Sequence, residues 1–223
     1  MSKLILVPTP IGNLKDITLR AIDILKEADI ILAEDTRKTK NLLNYYQIEN
    51  KLLSYHKFNE HSIKDKIISK IKEGNTIALV SDAGTPGISD PGYLIIRECI
   101  KSQIEIENLP GATAFLPALL NSGFPCEKFV FEGFLPVKKG RKKRLTFLSN
   151  ETRTIIIYES PHRIEKTINE LIEYFGQERK VSISKELTKI HETTIRGSLS
   201  EISTKLKSIT IKGEFVIVIE GKN

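Results

Sequence analysis

The chain has 223 residues, 40% of them hydrophobic and 28% charged, with a formal net charge of +6. That composition supplies a packed core and excludes an intrinsically disordered protein, while the mild basic excess favours polyanionic partners such as RNA only weakly. No stretch approaches the roughly 18 apolar residues of a membrane span, and the two cysteines, Cys99 and Cys126, form no CxxC pair, so neither a membrane anchor nor a zinc site has support.

In chain order, short apolar runs alternate with helical patterns. Leu4–Val7 is a predicted strand, stopped by Pro8 and Pro10. Thr18 is a predicted helix cap, with Leu19, Ile22, Leu25 and Ala28 on one face. Ile30–Ala33 is the next strand, Thr36–Tyr46 a helix, Leu52–Tyr55 a short strand, and Asn59–Lys72 a polar helix with isoleucines at helical spacing. Thr76–Val80 is the best-marked buried strand; after it come a glycine- and proline-rich loop, a helix over Tyr93–Lys101 and a strand over Ile104–Glu107. Strands separated by helices imply βαβ units and a parallel sheet, which binds ligands at the carboxyl ends of its strands.

The second half reads differently. Ala112–Ser122 is a helix stopped by Gly123, followed by a strand over Phe129–Gly133, a very basic helix over Lys138–Asn150, a strand over Thr154–Tyr158 and a helix over Arg163–Phe175. Lys180–Lys185, a polar stretch to Arg196, a short helix from Ser198 and a last strand Phe215–Glu220 complete it. The expected division is an N-terminal α/β domain with a parallel sheet over 1–120 and a C-terminal α/β domain with a mixed sheet over 121–223, packed without a Ser/Gly linker.

The loop Ser81–Gly92, SDAGTPGISDPG, carries the strongest local signal. Glycine lets backbone approach a ligand and proline fixes its path, whereas the GxGxxG and GK[ST] phosphate fingerprints are absent. A connection this long after a buried strand favours a ligand loop over a plain turn. Within it, Asp90 is a candidate cap for a helix whose first residue is Pro91. Glu34-Asp35-Thr36-Arg37 follows the second strand, and its carboxylates suit proton transfer or helix capping. In Tyr158-Glu159-Ser160-Pro161-His162-Arg163, His162 suits acid–base work and Arg163 a phosphate, or the segment simply starts a helix. His56, His61 and His191 have no ligand spacing and read as surface or structural residues. Lys138, Lys139, Arg141, Lys142, Lys143 and Arg144 place six cations in seven residues with no acid between them, a pattern suited to RNA phosphates.

Taken in order, PTPIGNLKDIT (Pro8–Thr18), AEDTR (Ala33–Arg37), SDAGTPGISDPG (Ser81–Gly92), LPGATA (Leu109–Ala114), YESPHR (Tyr158–Arg163), SKELTKIHE (Ser184–Glu192) and KGEFVIVIEG (Lys212–Gly221) resemble the tetrapyrrole (corrin/porphyrin) methylase superfamily over nearly the whole chain. Within it they look like the branch that methylates ribose 2′-hydroxyls of 16S ribosomal RNA. The resemblance implies two α/β domains with S-adenosylmethionine in the cleft between them, a homodimer, and a cytidine of the decoding region in the small ribosomal subunit as target. It points to Pro8, Asp82, Gly84, Thr85, Gly87, Ile88, Thr113 and Ala114 as cofactor contacts, joined by Tyr158 and Gly213 of the second domain. Glu34, Asp35 and Arg37, with His162 and Arg163 opposite, are the candidates for the acceptor side, because both segments are polar and follow strands that face the expected cleft; no metal is expected. Both cysteines are then core or near-core thiols of a cytoplasmic protein. A tetrapyrrole small-molecule methyltransferase and a non-catalytic RNA-binding module are the competing readings; an α/β nucleotide hydrolase lacks its phosphate fingerprint.

Overall fold

Runs of Leu, Ile and Val without polar interruption form strands that are covered on both faces. In the computed structural model, which describes residues 2–208 and 210–222, three such runs are buried at every position: β1 (Leu4–Leu6), β2 (Ile30–Ala33) and β4 (Ile77–Val80). They form the centre of a five-stranded sheet of order β3-β2-β4-β1-β5, flanked by β3 (Leu52–Ser54) and β5 (Ile106–Asn108), and every pairing is parallel. Helices α1 (Leu19–Glu27), α2 (Thr36–Tyr45), α3 (Glu60–Lys72) and α4 (Tyr93–Lys101) connect the strands. Because side chains alternate along a strand, Leu4, Leu6, Leu32 and Leu79 pack with Ile67 and Ile71 of α3 and Ile95 and Cys99 of α4. Ile5, Ile31, Ala33 and Val80 face Ala21 and Leu25 of α1 and Leu43 of α2 instead. These elements lie in a compact unit, Met1–Thr113.

The second unit, Ala114–Asn223, holds a mixed sheet of order β6-β7-β10-β8-β9. Its strands are β6 (Phe129–Phe134), β7 (Thr154–Glu159), β8 (Lys180–Lys185), β9 (Thr193–Ser198) and β10 (Phe215–Ile219). Only β6 and β7 pair in parallel, with a register shift between Phe131 and Gly133. Helices α6 (Arg141–Leu148), α7 (Ile164–Phe175) and α8 (Leu199–Leu206) bury Leu145, Ile168, Leu171 and Ile202 against one face. Helix α5 (Phe115–Ser122) packs on β8, β10 and β7. The α8 start is a capping box between Ser198 and Glu201.

Several sequence expectations need correction. Helix α4 begins at Tyr93, with Gly92 in the cap position at φ +152, so Pro91 is not its first residue and Asp90 is not its cap. The basic helix starts only at Arg141, because Gly140 before it takes a left-handed φ of +84. Strand β5 lies two residues later than its apolar run, and β9 is a polar strand that alternation did not reveal. Cys126 is exposed rather than near-core, since it follows Gly123 and Pro125 in a loop; Cys99 is buried, and burial pushes its thiol up to about 11. Among the described residues, no helix is long and apolar enough to cross a membrane.

One polar assembly is enclosed in the second unit. Thr167 on α7 is fully buried; its hydroxyl donates to Glu159 Oε2 at 2.7 Å and accepts from Arg141 Nη2 at 2.7 Å. Arg163 Nη2 lies 2.7 Å from Glu159 Oε1, and Arg141 also pairs with Glu170 at 2.7 Å. Removing the hydroxyl leaves a buried carboxylate and a guanidinium each short of one partner. Thr167→Val should therefore lower unfolding free energy by about 2–3 kcal/mol in urea titration, with an unchanged m-value. A loss of under about 0.5 kcal/mol would mean that the network adjusts around the gap.

Candidate functional site

At the carboxyl edge of the parallel sheet, three loops are held together by main chain and close packing. Thr9, after β1, and Gly84, after β4, exchange two backbone hydrogen bonds of 2.9 and 3.0 Å, an isolated antiparallel bridge. The Thr9 hydroxyl donates to Ser81 O at 3.1 Å, and the Ser81 hydroxyl donates to Gly84 O at 3.0 Å. From the third loop, after β5, Ala112 O accepts from Thr85 Oγ1 at 3.0 Å. Gly84 is at φ +86 and Gly87 at φ +83, conformations an L side chain adopts only with strain. Gly111 lies against Pro8 so closely that a Cβ there would stand 2.4 Å from Pro8 Cβ. The predicted cofactor residues Pro8, Asp82, Gly84, Thr85, Gly87, Ile88 and Thr113 all lie in these loops. The glycines let the three loops approach one another this closely at the carboxyl edge, where parallel sheets bind ligands.

The end of β2 meets the same edge. Asp35 caps α2: its Oδ1 accepts from Arg37 N at 2.9 Å, and the Arg37 guanidinium grips both carboxylate oxygens. That clamp holds Asp35 well below the ordinary carboxylate range. Asp82, from the β4 loop, accepts from Asp35 N at 2.9 Å through Oδ1 and pairs with Lys38 Nζ at 2.8 Å through Oδ2. Glu34 is different. Burial, and then the negative charge of Asp82, push its carboxyl up; a hydrogen bond from the Asp82 main chain and the charges of Lys38 and His56 oppose the shift. Two adjacent carboxylates are thereby separated, Asp35 held down by its clamp and Glu34 raised by burial and by the charge of Asp82. The sequence alone left these roles open, because Asp82, which bears on both residues, lies 47 positions beyond Asp35.

In the second unit, Tyr158 stands among the rings of Phe131 and Phe134, at 5.1 and 5.7 Å between centroids. Gly213, at φ +87, leaves room for Glu186, whose Oε1 accepts from Glu214 N at 3.0 Å and from Lys189 Nζ at 2.8 Å. Ala114 occupies the cap position of α5. His162 is exposed, while Arg163 is tied to Glu159.

The basic run divides. Arg141 is 5% exposed and belongs to the Glu170–Thr167 assembly, and Arg144 makes a two-point pair with Glu132. The acids absent from the local sequence arrive from β6 and α7, so Arg141 is not available for RNA and Arg144 is already partnered. Lys138, Lys139, Lys142 and Lys143 are exposed.

Residues 3–203 match the profile of the Tetrapyrrole (Corrin/Porphyrin) Methylases. A protein of Synechocystis called ribosomal RNA small subunit methyltransferase I is 48% identical over 99% of this chain and 80% of its own length. The protein of the same name in Thermotoga maritima is 46% identical over the full length of both. Among solved structures, uroporphyrin-III C-methyltransferase of Thermus thermophilus, complexed with S-adenosylhomocysteine, superposes with a TM-score of 0.66 at 18% identity, covering 97% of this chain and 96% of that one.

The packing at Gly111 generates a direct test. Its neighbour is a proline ring, which cannot rotate away from an added methyl group. Gly111→Ala should weaken S-adenosylmethionine binding, read by titration calorimetry, by about tenfold or more, equivalent to the 1–3 kcal/mol typical of overpacking. Wild-type affinity in that variant would show that the Pro8–Gly111 contact plays no part in ligand binding.

Proposed function

The chain belongs to the tetrapyrrole (corrin/porphyrin) methylases, and from that premise we propose that it is an S-adenosylmethionine-dependent 2′-O-methyltransferase acting on a cytidine in the decoding region of small-subunit ribosomal RNA, as a cytoplasmic homodimer. The observation that carries the chemistry is the half-buried Glu34, its acidity weakened by burial and by Asp82, at the edge where the glycine loops converge. The choice of substrate is supported by the two relatives named as ribosomal RNA small subunit methyltransferases.

Pro8, Gly84, Thr85, Gly87, Ile88 and Thr113 would hold the cofactor. When bound, S-adenosylmethionine supplies an already activated sulfonium methyl group. The remaining task of the chain is alignment and removal of one proton from a weakly acidic ribose hydroxyl. Glu34 takes that proton on its carboxylate. Asp82 holds the β2–α2 corner through Asp35 N and keeps Glu34 basic through its own negative charge. Asp35 and Arg37 position rather than react, because each satisfies the other. Lys138, Lys139, Lys142 and Lys143 would contact RNA phosphates, and the exposed His162 completes the candidates on the acceptor side.

Labelled methyl transfer to small ribosomal subunits from cells lacking the enzyme tests this reading, with naked ribosomal RNA and a precorrin-type tetrapyrrole in parallel. Label at an alkali-resistant ribose is expected; label in the tetrapyrrole alone would overturn the substrate while keeping the family. A base works deprotonated, so raising its pKa moves the acid limb of the kcat profile to higher pH than an ordinary carboxylate gives. Glu34→Gln should remove that limb and lower kcat by about 100-fold or more with cofactor affinity intact. An unchanged profile would sink the assignment of Glu34. Replacing the four lysines by alanine should reduce the slope of log K against log salt for subunit binding by about 3–4, one phosphate contact each. An unaltered slope would place the RNA elsewhere.

A further inference from the structure

Strand β3 ends beside β2, with Ser54 opposite Ala33 and Tyr55 N donating to Ala33 O at 2.8 Å. The residues that follow therefore leave the sheet at the same edge as Glu34, one position beyond Ala33. They form a short, tightly braced turn. Asn59 spans it, accepting from His56 N at 2.8 Å and donating through its amide to Ser54 O at 3.0 Å. His56 O accepts from the backbone N–H of both Asn59 and Glu60, and His56 Nδ1 accepts from Phe58 N at 3.2 Å. At the apex stands Phe58, 93% exposed, touched edge-on by the His56 ring at 6.0 Å between centroids.

A fully exposed aromatic ring on a slack loop would need no explanation. Here five hydrogen bonds within the turn fix the backbone that carries it, so solvent exposure is not the result of looseness. Lys57 is exposed beside the ring, and Arg37 and Lys38 on the first turn of α2, paired with Asp35 and Asp82, still keep side-chain exposures of 88% and 63%. His56, which braces the turn, also lies close enough to bear on Glu34, so the ring and the proposed proton acceptor share a neighbour. An aromatic face among cations, at the edge that holds the reacting carboxylate, matches how proteins hold a single-stranded nucleotide: phosphates on the cations and the base on the ring.

We propose that Phe58 is the platform on which the unpaired base of the target nucleotide stacks, with His56 as the positioning residue that fixes the ring beside Glu34. The inference rests on the RNA-methyltransferase reading and adds to it the element that holds the acceptor nucleoside. Stacking of this kind is indifferent to which base is present, so it supplies placement rather than choice of sequence.

The chain contains no tryptophan, so Phe58→Trp installs a single fluorophore at the proposed contact while preserving a stacking face. Phe58→Ala, Phe58→Trp and wild type would be compared for methyl transfer to small ribosomal subunits, for S-adenosylmethionine affinity and for thermal unfolding. Loss of kcat/KM by about 10- to 100-fold in Phe58→Ala is expected, with activity retained in Phe58→Trp and quenching of its fluorescence on adding subunits. Cofactor affinity and melting temperature should equal wild type in both, since the side chain is almost wholly exposed. Phe58→Ala turnover within about twofold of wild type, or no quenching at saturating subunits, would overturn the proposal. Failure of the wild type to methylate subunits at all would instead remove the reading on which it rests.

Discussion

Two backbone hydrogen bonds between Thr9 and Gly84 bind the loop after β1 to the loop after β4, and most of the site's geometry follows from them. They require Gly84 at a positive φ, and they set Ser81 where its hydroxyl and carbonyl are both used. The path of the β1 loop then puts Pro8 against Gly111, which brings the β5 loop to the same edge. Two glycines and a proline thus form one object, although residues 8 and 111 are over a hundred positions apart. The parallel sheet beneath supplies the rigidity, because its central strands are buried on both faces and leave the loops no freedom to drift.

The same edge shows how neighbouring groups of one chemical type acquire different tasks. Glu34 and Asp35 are consecutive carboxylates, but chain direction turns one into the α2 cap and leaves the other half-buried. The guanidinium of Arg37 neutralises Asp35 locally, while Asp82 adds negative charge near Glu34 and donates a main-chain hydrogen bond to it. In the second unit the equivalent economy is structural: Glu159, Arg141, Arg163 and Thr167 satisfy one another inside the protein, and two of those residues looked in the sequence like functional cations.

Much of the fold was legible in the sequence because its strongest signals are local. Uninterrupted runs such as Ile77–Val80 can be little else than buried strands, and Thr18 caps α1 as its position suggested. The glycine loop was recognisable by its length and composition. What failed was decided by distant partners or by backbone alone. Gly92 displaced Pro91 at the start of α4 through its own dihedral angles. The ion pairs of Arg141 and Arg144 come from Glu170 and Glu132, which no window around the basic run contains. The polar strand β9 pairs with β8 along its whole length; Thr193, Thr194 and Ile195 favour extended backbone, but no apolar alternation marks the strand in the sequence. Phe58 and His56 carried no motif; their standing came only from β3 lying next to β2.

The order of the first sheet also governs how its chain can assemble. Strand β1 precedes the other four strands of its sheet in the chain, yet its two neighbours are β4 and β5, so Leu4 pairs with Ile77 and Ile106. Each of those pairings closes a long loop before any contact rewards it, which slows folding. During synthesis the apolar residues Leu4–Val7 must therefore wait, unpaired, until Ile77–Val80 has emerged, and one of their edges stays open until Ile106–Asn108 follows. Of the three interior strands, β1 is the last to gain both neighbours, and its exposed interval is where a nascent chain of this fold most needs protection from aggregation.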